Sequence, residues 1–291
     1  MFTGVFTALV TPFNQDESID EGALRALVEF QIEKGVSGLV PVGTTGESPT
    51  VTHDENIRII EIVINQAAGR VPVCAGTGSN STKEAVDMSQ RARELGAAAT
   101  LQVAPYYNKP NQEGLYRHFS TIADSVDLPQ IVYNIPGRTG KNIETATVLR
   151  LAQHPNIQAL KEASGSLPQM IDVLANKPNT LAVLSGDDNL ALPLILMGGS
   201  GVVSVASNLA PAAIVGMVNS ALEGHLEQAR AAHYRLLPLF KAMFVDTNPI
   251  PVKYALHLMA RVQHVYRLPL CPLAEDDKRK VEQVVRDLAL A

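Results

Sequence analysis

Eight short, β-branched apolar runs, each followed by a stretch of helical periodicity, predict an α/β chain folded as a (β/α)8 TIM barrel, and a strand-free tail predicts a C-terminal helical extension. The runs are GVFTALV near 4–10, GLVPVG near 38–43, PVCAG near 72–76, ATLQVA near 99–104, QIVYNI near 130–135, IQALKEA near 157–163, LAVLSG near 181–186 and GVVSVA near 201–206. They are nearly continuous rather than alternating in apolar residues, as strands covered on both faces must be. Eight repetitions ending near residue 222 favour a closed parallel barrel over an open doubly wound sheet.

The intervening helices carry start and stop signals. Asp20 and Thr52 offer side-chain oxygens to the first backbone N–H groups, Ser81 precedes Glu84 at capping-box spacing, and Glu144 places charge at a first turn. Gly35 and Gly96 stand where left-handed C-terminal caps are expected. Past residue 224 the strand pattern stops, and helices are expected over 225–241, 250–262 and 275–290, broken by Pro238, Asn248-Pro249 and Leu268-Pro269. The expected division is a catalytic barrel over 1–223 and a helical extension over 224–291, with no low-complexity linker between them.

Composition narrows the functions. A chain of 291 residues that is 46% hydrophobic can bury a large core, and its net charge of -5 is spread without a Lys/Arg block for nucleic acid or an anionic membrane. Cys74 and Cys271 are far apart and lack zinc-ligand spacing, which fits a reducing compartment and gives no support to a metal or disulfide. The opening MFTGVFTALVTPF lacks a basic leader, and no run of about 20 apolar residues follows, so a soluble, cytoplasmic protein is expected.

In such a barrel the strand C-termini carry the chemistry. Lys161 sits inside the sixth run, flanked by Ile157, Ala159, Leu160 and Ala163. Burial there disfavours the ammonium form and yields a free amine, the species that attacks a carbonyl to form a Schiff base. The alternative is a structural ion pair, but adjacent strand residues face opposite ways, so Glu162 should not meet Lys161. Tyr133 ends the fifth run at the same rim, as a proton-transfer phenol or as a packed ring with a satisfied hydroxyl. Gly43-Thr44-Thr45-Gly46-Glu47 is either an ordinary glycine-supported turn or a cradle for a carboxylate; it lacks the Gly-Lys-Ser/Thr ending of a phosphate loop.

Together with Tyr133-Asn134-Ile135-Pro136-Gly137-Arg138-Thr139 and Leu160-Lys161-Glu162-Ala163, that turn resembles the pyruvate-dependent class I aldolase superfamily. Pro105-Tyr106-Tyr107-Asn108-Lys109-Pro110, Ser185-Gly186-Asp187-Asp188 and Asn248-Pro249-Ile250-Pro251-Val252-Lys253 are similar to its dihydrodipicolinate synthase family. The resemblance implies condensation of pyruvate with L-aspartate 4-semialdehyde in the diaminopimelate route to lysine, with no metal or organic cofactor. It implies that Lys161 carries the enamine, that Tyr133 transfers protons through Thr44 and Tyr107, and that Thr45 holds the pyruvate carboxylate. Arg138 would bind the acceptor's carboxylate, and the backbone carbonyls of Gly186 and Val203 would shape the site, Val203 standing where isoleucine is common. A homotetramer built as a dimer of dimers follows from the same likeness, with Tyr107 completing a neighbour's relay. So does a lysine-inhibition pocket formed by Ser48, His53, Asn80, Glu84 and Tyr106, where Asn56 replaces a frequent histidine. An N-acetylneuraminate lyase or a 2-keto-3-deoxy sugar acid aldolase would share Lys161 and Tyr133, but Arg138 and the Tyr107 loop favour the synthase. A catalytically silent sensor barrel is the alternative from a different class.

Overall fold

Each of the eight apolar runs forms a strand in the computed structural model, which describes residues 2–290. Met1 and Ala291, the outer limits of the expected division, lie outside them. The barrel half runs β1 (Gly4–Ala8), α1 (Glu21–Glu33), β2 (Gly38–Val40), α2 (His53–Ala67), β3 (Cys74–Gly76), α3 (Thr82–Glu94), β4 (Ala99–Val103), α4 (Gln112–Ser125), β5 (Gln130–Asn134) and α5 (Pro136–Thr139). It continues with α6 (Thr145–Leu151), β6 (Ile157–Glu162), α7 (Leu167–Asn176), β7 (Ala182–Ser185), α8 (Asp188–Leu196), β8 (Gly201–Ser204) and α9 (Pro211–Leu222). Three more helices follow: α10 (Leu226–Ala242), α11 (Ile250–Leu258) and α12 (Glu275–Asp287).

All the strand pairs are parallel, in the order β2-β1-β8-β7-β6-β5-β4-β3, and a parallel bridge from Leu39 to Val73 joins the two ends into a ring. This is a (β/α)8 TIM barrel, not the open sheet. β2 ends at Val40 although its apolar run continues, because Pro41 has no N–H to give a ladder and Val42 turns to φ 53°.

Three apolar layers result, one of them joining the outer faces of β5, β6 and β7 to α4, α6 and α7. Phe6, Ala8, Val40, Leu101, Ile131, Tyr133, Ala159, Leu184 and Val203 fill the barrel interior. A second layer joins the outer faces of β1, β2, β3 and β8 to their helices and runs without a break into α10, α11 and α12. The extension therefore lies on the barrel: α10 packs on α8 and α9, and α12 packs on α10 and α11.

The caps follow the sequence with one difference. Asp20 and Thr52 accept from the amides of Ala23 and Glu55, and Thr52 and Glu55 complete a capping box. Ser81 accepts from Glu84 N, but the Glu84 carboxylate accepts from Ser79 Oγ at 2.7 Å, so the reciprocal half of that box is absent. Pro238 does not break its helix: α10 runs through it, because Leu236, Leu239 and Phe240 are buried and their packing outweighs one lost backbone hydrogen bond.

Candidate active site

Lys161 lies on β6 in phase with Ala159 and Ala163, both members of the interior layer, and is 5% exposed. Its strand pairs with β5 so that Tyr133 and Lys161 are direct partners, and the ammonium stands 3.9 Å from the centre of the Tyr133 ring. Glu162 faces the other way, accepting from Ser164 N at 2.7 Å, Asn134 Nδ2 at 3.1 Å and Gln169 Nε2 at 3.2 Å. Among the described residues Lys161 has no ion-pair partner within salt-bridge distance. Burial drives its pKa down to about 8; the carboxylates of Asp187 and Asp188 oppose this and the Arg138 guanidinium reinforces it.

Tyr133 has its pKa pushed up, again by burial, with the Thr44 hydroxyl and Arg138 offsetting part of the shift. Its phenol keeps its proton at neutral pH. Thr44 opens a single 3-10 turn, Thr44–Gly46, whose first amides have no acceptor within the turn itself. Thr45 is buried, and its Oγ1 accepts from Asn248 Nδ2 at 3.0 Å. Arg138, exposed on α5, donates to the Asn248 carbonyl at 3.0 Å and has no acidic partner among the described residues.

The seventh strand approaches through Gly186. A Cβ there would lie 2.5 Å from the Ala163 Cβ and 3.2 Å from Lys161 Cε, so only glycine lets this backbone come so near the lysine. Val203 lies in β8 beside Phe6 of β1, fully buried in the interior layer. Tyr107 is not brought to the pocket by this chain: it is 91% exposed on the β4–α4 loop at φ 69°.

Sequence reasoning assigned no role to the acids after β7. Asp188 is fully enclosed, accepting from Ser204 Oγ at 2.5 Å, Ala206 N at 2.9 Å and Val205 N at 3.0 Å, and burial raises its pKa. Asp187 is raised to about 6, first by burial, and borders a cleft of about 560 Å³ with Gly165, Asn189, Lys241 and Phe244. Two adjacent acids directly after an apolar strand were the available signal. Asn248, linking Thr45 to Arg138, had none beyond its place before a proline.

The constellation therefore combines a desolvated lysine, a protonated phenol, a hydroxyl-bearing turn and a free guanidinium at one barrel mouth. Residues 1–288 match the model of the dihydrodipicolinate synthetase family. The chain belongs to that family. A family relative from Syntrophus aciditrophicus, named 4-hydroxy-tetrahydrodipicolinate synthase, is 52% identical over 290 residues, covering 100% of this chain and 99% of the relative. The structure of the chloride inhibited dihydrodipicolinate synthase from Acinetobacter baumannii complexed with pyruvate matches with TM-score 0.98 and 42% identity over 100% of both chains. The enzyme from Cyanidioschyzon merolae with lysine bound matches with TM-score 0.97 and 42% identity, covering 100% of this chain and 99% of that one.

The residues that the family likeness singles out for lysine gather on one flank. Ser48 and His53 precede and open α2, and Asn56 lies buried on it, donating to the Gly76 carbonyl at 3.3 Å with its Oδ1 unpartnered among the described residues. Asn80 donates to the Tyr106 carbonyl at 3.2 Å, and Glu84 stands in the first turn of α3.

Proposed function

We propose that this chain is a 4-hydroxy-tetrahydrodipicolinate synthase that condenses pyruvate with L-aspartate 4-semialdehyde through a Schiff base on Lys161. The observation that carries the reading is a lysine buried without an ion-pair partner among the described residues, ring to ammonium against Tyr133. With its pKa near 8, a useful fraction of Lys161 is free amine at neutral pH. The amine attacks the pyruvate C2 carbonyl, and water leaves to give an iminium. The iminium draws electrons from the methyl group, which loses a proton to form the enamine, and the enamine carbon attacks the aldehyde.

The Tyr133 phenol, held protonated by burial, donates to the developing oxygen and recovers its proton through Thr44. Thr45 and the open amides of its turn hold the pyruvate carboxylate, which fixes the reacting carbons and lowers the entropic cost of the encounter. Arg138 presents paired donors to the carboxylate of the semialdehyde. The backbone of Gly186 and Val203 bounds the space around the imine.

A homotetramer built as a dimer of dimers would cover exposed apolar side chains such as Tyr106 and Tyr107 on one loop and Leu167 and Ile171 on α7. An assembly of that symmetry needs two self-complementary surfaces. In it, Tyr107 of one subunit would join the relay of the next. Lysine is a candidate inhibitor at the flank of α2 and α3, where the Glu84 carboxylate is an acceptor for its ammonium and Asn80 a hydrogen-bonding partner for its polar ends.

Borohydride reduction in the presence of pyruvate is expected to leave a reduced pyruvate adduct on Lys161, located by peptide mass spectrometry. Trapping should quicken as pH rises through about 8, where the amine deprotonates. Lys161→Ala should abolish both the adduct and consumption of the semialdehyde in a coupled assay. An adduct on Lys253 or Lys109 overturns the mechanism, and faster cleavage of N-acetylneuraminate than use of the semialdehyde overturns the substrate.

A further inference from the structure

The turn assigned to the pyruvate carboxylate is gripped from behind by the C-terminal extension. Glu47 closes that turn, its N–H donating to the Thr44 carbonyl at 3.1 Å, and it adopts the left-handed conformation at φ 56°, ψ 38°. A side chain other than glycine persists there only where its surroundings hold it. The Glu47 carboxylate is buried and forms an ion pair with Lys253 Nζ of α11, itself 0% exposed. The ammonium also stands 4.4 Å from the Phe13 ring centre and 5.2 Å from that of Tyr266, and Glu47 is its one anionic partner among the described residues. Just before the start of α11, Asn248 donates to the Thr45 hydroxyl. Thr11 Oγ1 donates to the Gly46 carbonyl between them at 2.6 Å.

We propose that Glu47 and Lys253 are positioning residues for pyruvate: their buried pair locks the Thr44–Gly46 turn in its binding form, so the extension sets pyruvate affinity without touching the substrate. This rests on the reading of the turn as the carboxylate clamp. Stability alone does not call for such a pair, since apolar residues of similar volume serve as well or better in a dry interior. What the pair does is hold Glu47 in a conformation that aims the hydroxyls of the two threonines before it. Arg267 braces the same residue from another side, its backbone N–H donating to Glu47 Oε2 at 3.5 Å while its guanidinium donates to the Thr50 carbonyl at 2.9 Å and pairs with Glu55.

Lys253→Met and the double variant Glu47→Gln/Lys253→Met test the idea. The single variant leaves a buried carboxylate unpaired and should melt earlier than the wild type; the double variant should recover much of that loss. Both should raise KM for pyruvate by about tenfold or more while leaving KM for the semialdehyde and kcat within about threefold. A double variant with wild-type KM for pyruvate, or equal shifts for both substrates, overturns the positioning role. Should neither variant fold, hydrogen exchange on the wild type decides: the amides of Gly46, Glu47 and Ser48 should be protected as strongly as those of α11, and rapid exchange in the turn alone overturns the role. The two readings fail separately, because a wild type that forms no pyruvate adduct removes the clamp itself, whereas a normal adduct with unaltered KM in the double variant removes only the lock.

Discussion

At Lys161 burial and charge pull in opposite directions, and the balance makes the residue usable. Asp187 and Asp188 favour the ammonium but sit to one side, their own pKa values raised by burial, so desolvation prevails. Arg138 is placed differently. Its guanidinium meets a backbone carbonyl and no carboxylate among the described residues, which leaves its paired donors for a ligand. Arg138→Ala is therefore expected to keep the borohydride-trapped pyruvate adduct while lowering kcat/KM for the semialdehyde by about 2 kcal/mol or more, the worth of a charged hydrogen bond. Loss of the adduct in that variant would place Arg138 on the pyruvate side.

Among the elements, α3 and α4 meet over a titratable group. His118 of α4 is buried, its Nδ1 lies 2.9 Å from Thr82 Oγ1, and its Nε2 has no partner among the described residues. Burial lowers its pKa from 6.5 to about 4. The folded state therefore takes up this proton later than the unfolded chain does. The stability gained from a neutral His118 is complete above pH 6.5 and is lost as pH falls toward 4, a span worth about 3 kcal/mol. His118→Gln should shrink the drop in unfolding free energy between pH 7 and pH 4.5 by about 2 kcal/mol, read from urea titrations at the two values. An unchanged drop would assign the acid sensitivity elsewhere. The same scale shows why propensity misjudged Pro238: a helix anchored on one face by Leu236, Leu239 and Phe240 tolerates a missing N–H.

For the whole molecule, the proposal that a second copy of the chain completes the site rests on the loop that carries Tyr107. Tyr107 is exposed and held at positive φ on a loop tied down by neighbouring hydrogen bonds, Asn108 Nδ2 to the Asn80 carbonyl at 2.8 Å and Asn80 Nδ2 to the Tyr106 carbonyl. If it serves a neighbour, mixing Tyr107→Phe with Lys161→Ala subunits should regenerate sites with both groups intact and restore part of the activity. Verified mixed oligomers without recovery would end the idea. Lysine titrated calorimetrically should bind at millimolar concentration or below, and Asn56→His should alter the affinity. No heat at that concentration removes this flank as a regulatory site.

The barrel was legible in the chain because buried parallel strands demand continuous apolar runs, and a charged residue inside one of them, Lys161, stands out against that background. Alternation along β6 was enough to separate Lys161 from Glu162. The family motifs pointed to Tyr133, Thr44 and Arg138 as candidates through their local surroundings. What the tertiary structure alone decided are the contacts made across great distances in the chain, Asn248 on Thr45 and Lys253 on Glu47, and the nearer locking of Asp188 by Ser204 and the amides after β8. Each joins residues whose local sequence carries no mark of the other, because a polar group on a helix or loop reads as solvated until the fold removes its water and supplies a partner.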